Sequence, residues 1–208
     1  EVVPLTLLTL DAWDFIKITR GKWEITKRHK WTFYFLMAVG FWNFLGAGVF
    51  GFLINLPIIS YFEVGTMLTP NHGHTALMGV FGMLSLALIV FGLRQVLDDI
   101  KWKKAEKFVA VGFWGMNIGL LLMSVVSLFP GGVLQLLDVL KNGYWHARSQ
   151  AFLNQPLMKT IEWARMGPDL IFALAGSIPM AIAILYTYWQ MRKEKKSVTS
   201  SDGDDSIS

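Results

Sequence analysis

The chain contains no cysteine, which excludes disulfides, thiolate metal sites, iron–sulfur clusters and a C-x-x-C-H haem attachment motif. Charge is scarce as well: Asp, Glu, Lys and Arg make up 16% of the 208 residues, against 53% hydrophobic ones. A soluble domain of this length does not cover so much apolar surface with so few charges. No secretory leader is expected in the residues at hand. The apolar opening 1–10 has no basic n-region and no small-residue cleavage site, and it is too short to cross a bilayer. It reads as the tail of a helix ending near Asp11. With Glu1 rather than Met at its head, the chain is expected to be a piece of something longer.

What is present is apolar and periodic. Uncharged runs extend over 31–62, 72–93, 108–137 and 170–191. A bilayer core of about 30 Å needs roughly 20 apolar residues of helix, and each run meets that. Helices satisfy their own backbone in lipid, so the expected fold is all-α, a polytopic transmembrane helix bundle. Four membrane helices are expected near 31–61, 72–97, 107–137 and 168–192. The membrane domain then covers 1–196, and the polar, low-complexity segment 197–208 is expected to be a disordered cytoplasmic tail.

Cations set the orientation. Six lie in 11–30, five in 94–107 and four in 192–196, leaving Lys141, Arg148, Lys159 and Arg165. Four crossings bring the three rich segments to one side, and the positive-inside rule makes that side cytoplasmic. A basic rim against anionic lipid accounts for the pI of about 9.3 without any nucleic-acid partner.

The segment Thr69-Pro70-Asn71-His72-Gly73-His74 opens the second run, toward the outer face. At roughly 100° per residue, positions i and i+2 of a helix point about 200° apart. His72 and His74 can thus each offer a nitrogen to a different flank, and two haems would suit such a pair. The bland alternative is a polar helix mouth bonded to loop carbonyls. Gly73 between them admits flat ligands, although Gly is common in membrane helices. Gly46-Ala47-Gly48-Val49-Phe50-Gly51 marks either close helix packing or a face for a flat cofactor. His29, among Lys27, Arg28 and Lys30, is expected at the surface. His146, in Tyr144-Trp145-His146-Ala147-Arg148, is expected at the membrane interface.

The strings Phe41-Trp42-Asn43-Phe44-Leu45-Gly46-Ala47-Gly48-Val49-Phe50-Gly51-Phe52 and Thr69-Pro70-Asn71-His72-Gly73-His74-Thr75-Ala76-Leu77-Met78-Gly79-Val80 closely resemble nitric-oxide reductase. That is the bacterial branch of the haem–copper oxidase superfamily, and the wording is most similar to its quinol-dependent, single-subunit form. Gly143-Tyr144-Trp145-His146-Ala147-Arg148-Ser149, Gly167-Pro168-Asp169-Leu170-Ile171-Phe172 and the opening Glu1-Val-Val-Pro-Leu fit the same family. The resemblance implies a bacterial or archaeal cytoplasmic-membrane enzyme reducing nitric oxide with electrons from quinol. It matches His72 to the proximal ligand of a high-spin haem b and His74 to an axial ligand of a low-spin haem b. Glu1 resembles the acidic residue beside the family's non-haem iron, and Asp169 an acid lining the quinol pocket. Arg148 and Arg165, in the outer connection, are candidates to bind haem propionates.

The departure from the family is equally informative. Its non-haem iron uses three histidines on earlier helices, and its low-spin haem a second axial histidine there. None of these is in this chain, so the N-terminal part of the same subunit is the expected partner. Two other readings stay open: a b-type cytochrome or terminal oxidase-like subunit fragment that carries electrons, and a non-catalytic helix bundle.

Overall fold

The computed structural model describes residues 2–18 and 27–204. The elements are α1 (Val2–Ile18), α2 (Lys30–Asn55), α3 (Pro57–Glu63), α4 (Leu68–Val96), α5 (Asp99–Asn142), α6 (Gln150–Leu153) and α7 (Pro156–Lys195). Helices α2, α4, α5 and α7 are long and apolar enough to cross a membrane. Among the described residues there is no strand. The chain is a multi-pass transmembrane helix bundle.

Several helix limits differ from expectation, two of them for a local reason visible in the sequence. α1 runs on to Ile18 rather than ending near Asp11. α2 stops at Asn55 because Leu56 is extended (φ −65°, ψ 125°) ahead of Pro57, whose ring disfavours a helical predecessor. Pro57 then starts α3, where a missing N–H costs nothing. α5 begins at Asp99, well before 107, since Lys, Glu and Ala sustain a helix and the Asp98 side chain caps it at Lys101 N, 2.8 Å away. Its 44 residues rise about 66 Å, more than twice the thickness of a bilayer core of about 30 Å. α7 starts at Pro156 instead of 168, which shortens the connection from α5. Its final stretch continues helical to Asp204, past the expected end of the membrane domain at 196.

Glycines bring the helices together. A Cβ on Gly115 would lie 2.2 Å from the Ala175 carbonyl carbon, and one on Gly119 2.7 Å from Phe172 N. That close approach makes the α5–α7 seam. Gly46 meets Thr75 and Gly79 meets the Trp42 ring in the same way, joining α2 to α4. The core between α2, α4 and α5 is built from Phe35, Trp42, Met83, Val90, Phe113 and Leu120. Each spanning helix also widens into π-type turns, at Asn43–Phe50, His74–Gly82, Met123–Leu128 and Ile171–Ser177. Such widening is frequent near functional sites, and one of these segments opens on His74.

The basic segments meet at one end. Lys30 pairs with Glu106 at 2.9 Å, Lys101 with Glu194, and Arg94 with Asp99. His29 lies at this end but not at the surface: it is buried, with its ring 4.9 Å from that of Phe91. Standing just ahead of α2, it turns inward while its cationic neighbours stay exposed. Burial, then the charges of Arg28 and Arg94, push its pKa down and keep it neutral.

Candidate functional site

The start of α4 is pinned before its histidines appear. Gln135 of α5 is buried; its Oε1 accepts from Met67 N at 2.7 Å and its Nε2 donates to the Ala147 carbonyl. Gly131 and Gly132 let α5 come up against Met67 and Leu68. The helix mouth is therefore held by packing and by a buried side chain from a distant segment.

His72 turns toward α2. Its Nδ1 is 2.9 Å from the Gly46 carbonyl, which selects the tautomer with the proton on Nδ1 and leaves Nε2 as a lone pair. Among the described residues nothing is hydrogen-bonded to that Nε2. A cavity of about 510 Å³ lies beside the ring, bordered by Ala47, Gly51, Asn55, Gly73 and Ala76. Gly51 is indispensable to this placement, since a Cβ there would come within 2.9 Å of His72 Cε1. Next to His72, Asn71 is 1% exposed, and neither amide atom has a partner among the described residues.

His74 turns the other way. Its Nδ1 bonds the Pro70 carbonyl at 2.7 Å, and its Nε2 accepts from Arg165 Nη2 at 3.3 Å. Arg165 is itself paired with Asp169, Nε to Oδ2 at 3.1 Å. The two imidazoles thus address α2 and α7 respectively, as their spacing predicts.

The structure distributes the other expected site residues differently. Glu1 lies outside the described residues. Asp169 is half-exposed and borders an open cavity of about 660 Å³ with Trp163, Arg165 and Leu170. Arg148 is engaged by backbone: Nη1 donates to the Tyr144 carbonyl at 2.8 Å and Nη2 to that of Val64, with the guanidinium 3.5 Å over the Tyr144 ring. It clamps the turn at Gly65 (φ +80°), a left-handed position that glycine alone adopts without strain. His146 is exposed, with Nδ1 2.7 Å from Asp138 Oδ2.

One acid escaped the sequence reading. Glu63 is 2% exposed and accepts from Thr69 Oγ1 at 3.2 Å. Burial pushes its carboxyl above the ordinary value, against the opposing pull of Thr69, His72 and Arg148. The available signal was its isolation, as the only charge between Lys30 and Arg94.

Residues 1–171 match the family described as Cytochrome C and Quinol oxidase polypeptide I, and the chain belongs to that family. It is therefore a multi-pass membrane protein of an oxidoreductase family whose members bind haem. A nitric oxide reductase subunit of Stutzerimonas stutzeri is 33% identical over 95 residues, covering 45% of this chain and 20% of that protein. The chain thus matches about a fifth of the length of that relative.

His72 fits an axial haem ligand on its own evidence: a fixed tautomer, an uncommitted Nε2, a small-residue border and an unpartnered buried amide alongside. His74 fits the same role on the opposite flank once Arg165 releases its Nε2. A three-histidine iron site does not fit these residues. Beyond the pair there are only His29, packed on Phe91, and His146, paired with Asp138.

Proposed function

We propose that this chain is the haem-ligating C-terminal part of a membrane nitric-oxide reductase fed by quinol, acting with the N-terminal part of the same subunit. The reaction joins two nitric oxide molecules to N₂O and water, consuming two electrons and two protons. The observation that carries the proposal is the pair of oppositely directed imidazoles, each anchored through Nδ1 to a backbone carbonyl. Support comes from the 33% identity with a nitric-oxide reductase subunit over a stretch of the chain. When bound, a high-spin haem b at His72 and a low-spin haem b at His74 would supply the nitric-oxide-binding centre and the electron path.

The chain's own residues do the positioning. Donation from Nδ1–H to Gly46 and Pro70 fixes each ring's rotation and raises the basicity of its Nε2. Asp169 tethers Arg165 beside His74, so the guanidinium stays close when it gives up Nε2 and becomes available to a propionate. Asp169 also borders the open cavity assigned here to quinol. Glu1 is assigned to proton delivery near the non-haem iron, whose ligands lie outside these residues.

Difference spectra on the complete enzyme test this reading. His72→Ala should abolish the CO-binding, high-spin signal and leave low-spin absorption largely intact; His74→Ala should do the reverse. Equal loss of both signals from either change would make the pair structural, and a signal that never binds CO would make the protein an electron carrier.

A further inference from the structure

A third cavity, of about 700 Å³, opens at the basic end of the bundle, far along α2 and α4 from the histidines. Five cations face it: Lys27, Arg28, Lys30, Arg94 and Lys103. Among the described residues two carboxylates join them, and both are committed, Glu106 to Lys30 and Asp99 to Arg94. Among the described residues, the side chains of Lys27, Arg28 and Lys103 have no acid within ion-pair reach. Arg94 is 6% exposed and locked to the carbonyls of Arg28 and Leu97, so its Asp99-paired guanidinium is a fixed part of the cavity wall. Trp31 and Trp102 form part of the lining.

The cavity does not end in the headgroup region. Tyr34 lines it and also lines an adjoining apolar groove of about 530 Å³ between α2 and α5, bordered by Met37, Phe41, Trp114, Ile118 and Leu121. From Tyr34 to Trp42 the groove follows α2 for about 12 Å, within one leaflet of a hydrocarbon core about 30 Å thick. Phe41, Trp114 and Ile118 are each about half exposed along it. Surplus positive charge at the membrane boundary, continuous with an apolar trough running inward, has the shape and polarity of one molecule class. From this we infer that the α2–α5 face holds an anionic phospholipid, its phosphate among Lys27, Arg28 and Lys103 and an acyl chain in the groove. Aromatic residues at the boundary suit the glycerol level, where amphipathic rings are favoured. Basic cavities between membrane helices on the cytoplasmic side are suited to such headgroups.

Native mass spectrometry of the complete protein, purified and incubated with mixed micelles of phosphatidylglycerol and phosphatidylcholine, tests the site. The wild type should retain phosphatidylglycerol in preference to phosphatidylcholine. The triple variant Lys27→Gln/Arg28→Gln/Lys103→Gln should retain it about a hundredfold less well, as three cations at a membrane surface imply. If the triple variant does not accumulate, Lys103→Gln alone should weaken retention about fivefold while Lys103→Arg should not. Glycerophosphoglycerol and inorganic phosphate, offered separately, should compete poorly because they lack the chain. Equal competition by either would make this a free-anion site, and equal retention of the two lipids, or no response to the substitutions, would overturn the proposal. Haem spectra are unaffected in either case, so failure here is separable from failure of the haem assignment.

Discussion

Gly51 has no side chain where the His72 ring passes, and the two residues come from helices that meet only in the folded bundle. An added Cβ would lie 2.9 Å from Cε1, and the backbone of α2 cannot yield there without losing its own hydrogen bonds. Gly51→Ala should therefore displace the imidazole from the Gly46 carbonyl and reduce the CO-binding haem signal of the complete enzyme several-fold. An unchanged signal would mean that the ring is held elsewhere. Glu63 makes a different prediction at the same scale. Its carboxyl is raised above its ordinary 4.5 by burial, so the stability it contributes is complete below that pH and is lost as pH rises through the folded value. Glu63→Gln keeps an acceptor for Thr69 but cannot ionise. It should raise the melting temperature at neutral pH and flatten the slope above pH 4.5; a variant that retains the wild-type slope would assign the titration to another group.

Helices pack here through residues that are nearly absent. The α5–α7 seam admits no side chain at Gly115, where the Ala175 carbonyl stands 2.2 Å from a hypothetical Cβ. Gly115→Ala should force the helices apart and cost about 1–3 kcal/mol in thermal unfolding. Gly92, within α4, has nothing within 4 Å of an added Cβ. Gly92→Ala should be neutral or gain up to about 1 kcal/mol through helix propensity. Equal effects at the two positions would show that intrinsic propensity, not close approach, governs these glycines. The same seam places Arg165 and Asp169 on α7 within reach of the histidine face, so the element sets the site's electrostatics.

At the scale of the whole molecule, ion pairs draw the beginning of α2, the turn between α4 and α5, and the end of α7 to one end of the bundle. The absence of native cysteine makes this easy to test. Cysteines introduced at Lys104 and Lys193 should react with an impermeant maleimide from the cytoplasmic side, and one at Lys141 only from the outer side. Labelling of Lys104→Cys and Lys141→Cys from the same face would overturn the topology.

Amino-acid order alone settled the class of molecule and its four crossings, because hydropathy and charge act locally and each span must satisfy the bilayer by itself. It also placed His72 and His74 on opposite flanks, since helical rotation is a property of any two neighbouring positions. Helix limits were less legible. Residues 101–107 fall before the expected helix start, yet they are helical, with Lys101 paired to Asp98 and Glu194 and Glu106 paired to Lys30. Partnerships were not legible at all. Lys27, Arg28 and Lys30 around His29 signal a surface, yet Phe91 from another helix covers it. Arg148, expected to bind a propionate, also donates to two carbonyls, and Glu63 passed unnoticed because its burial depends on packing that no local pattern records. Burial and hydrogen bonding depend on residues tens of positions away in sequence, and only the packed bundle decides which of them arrive.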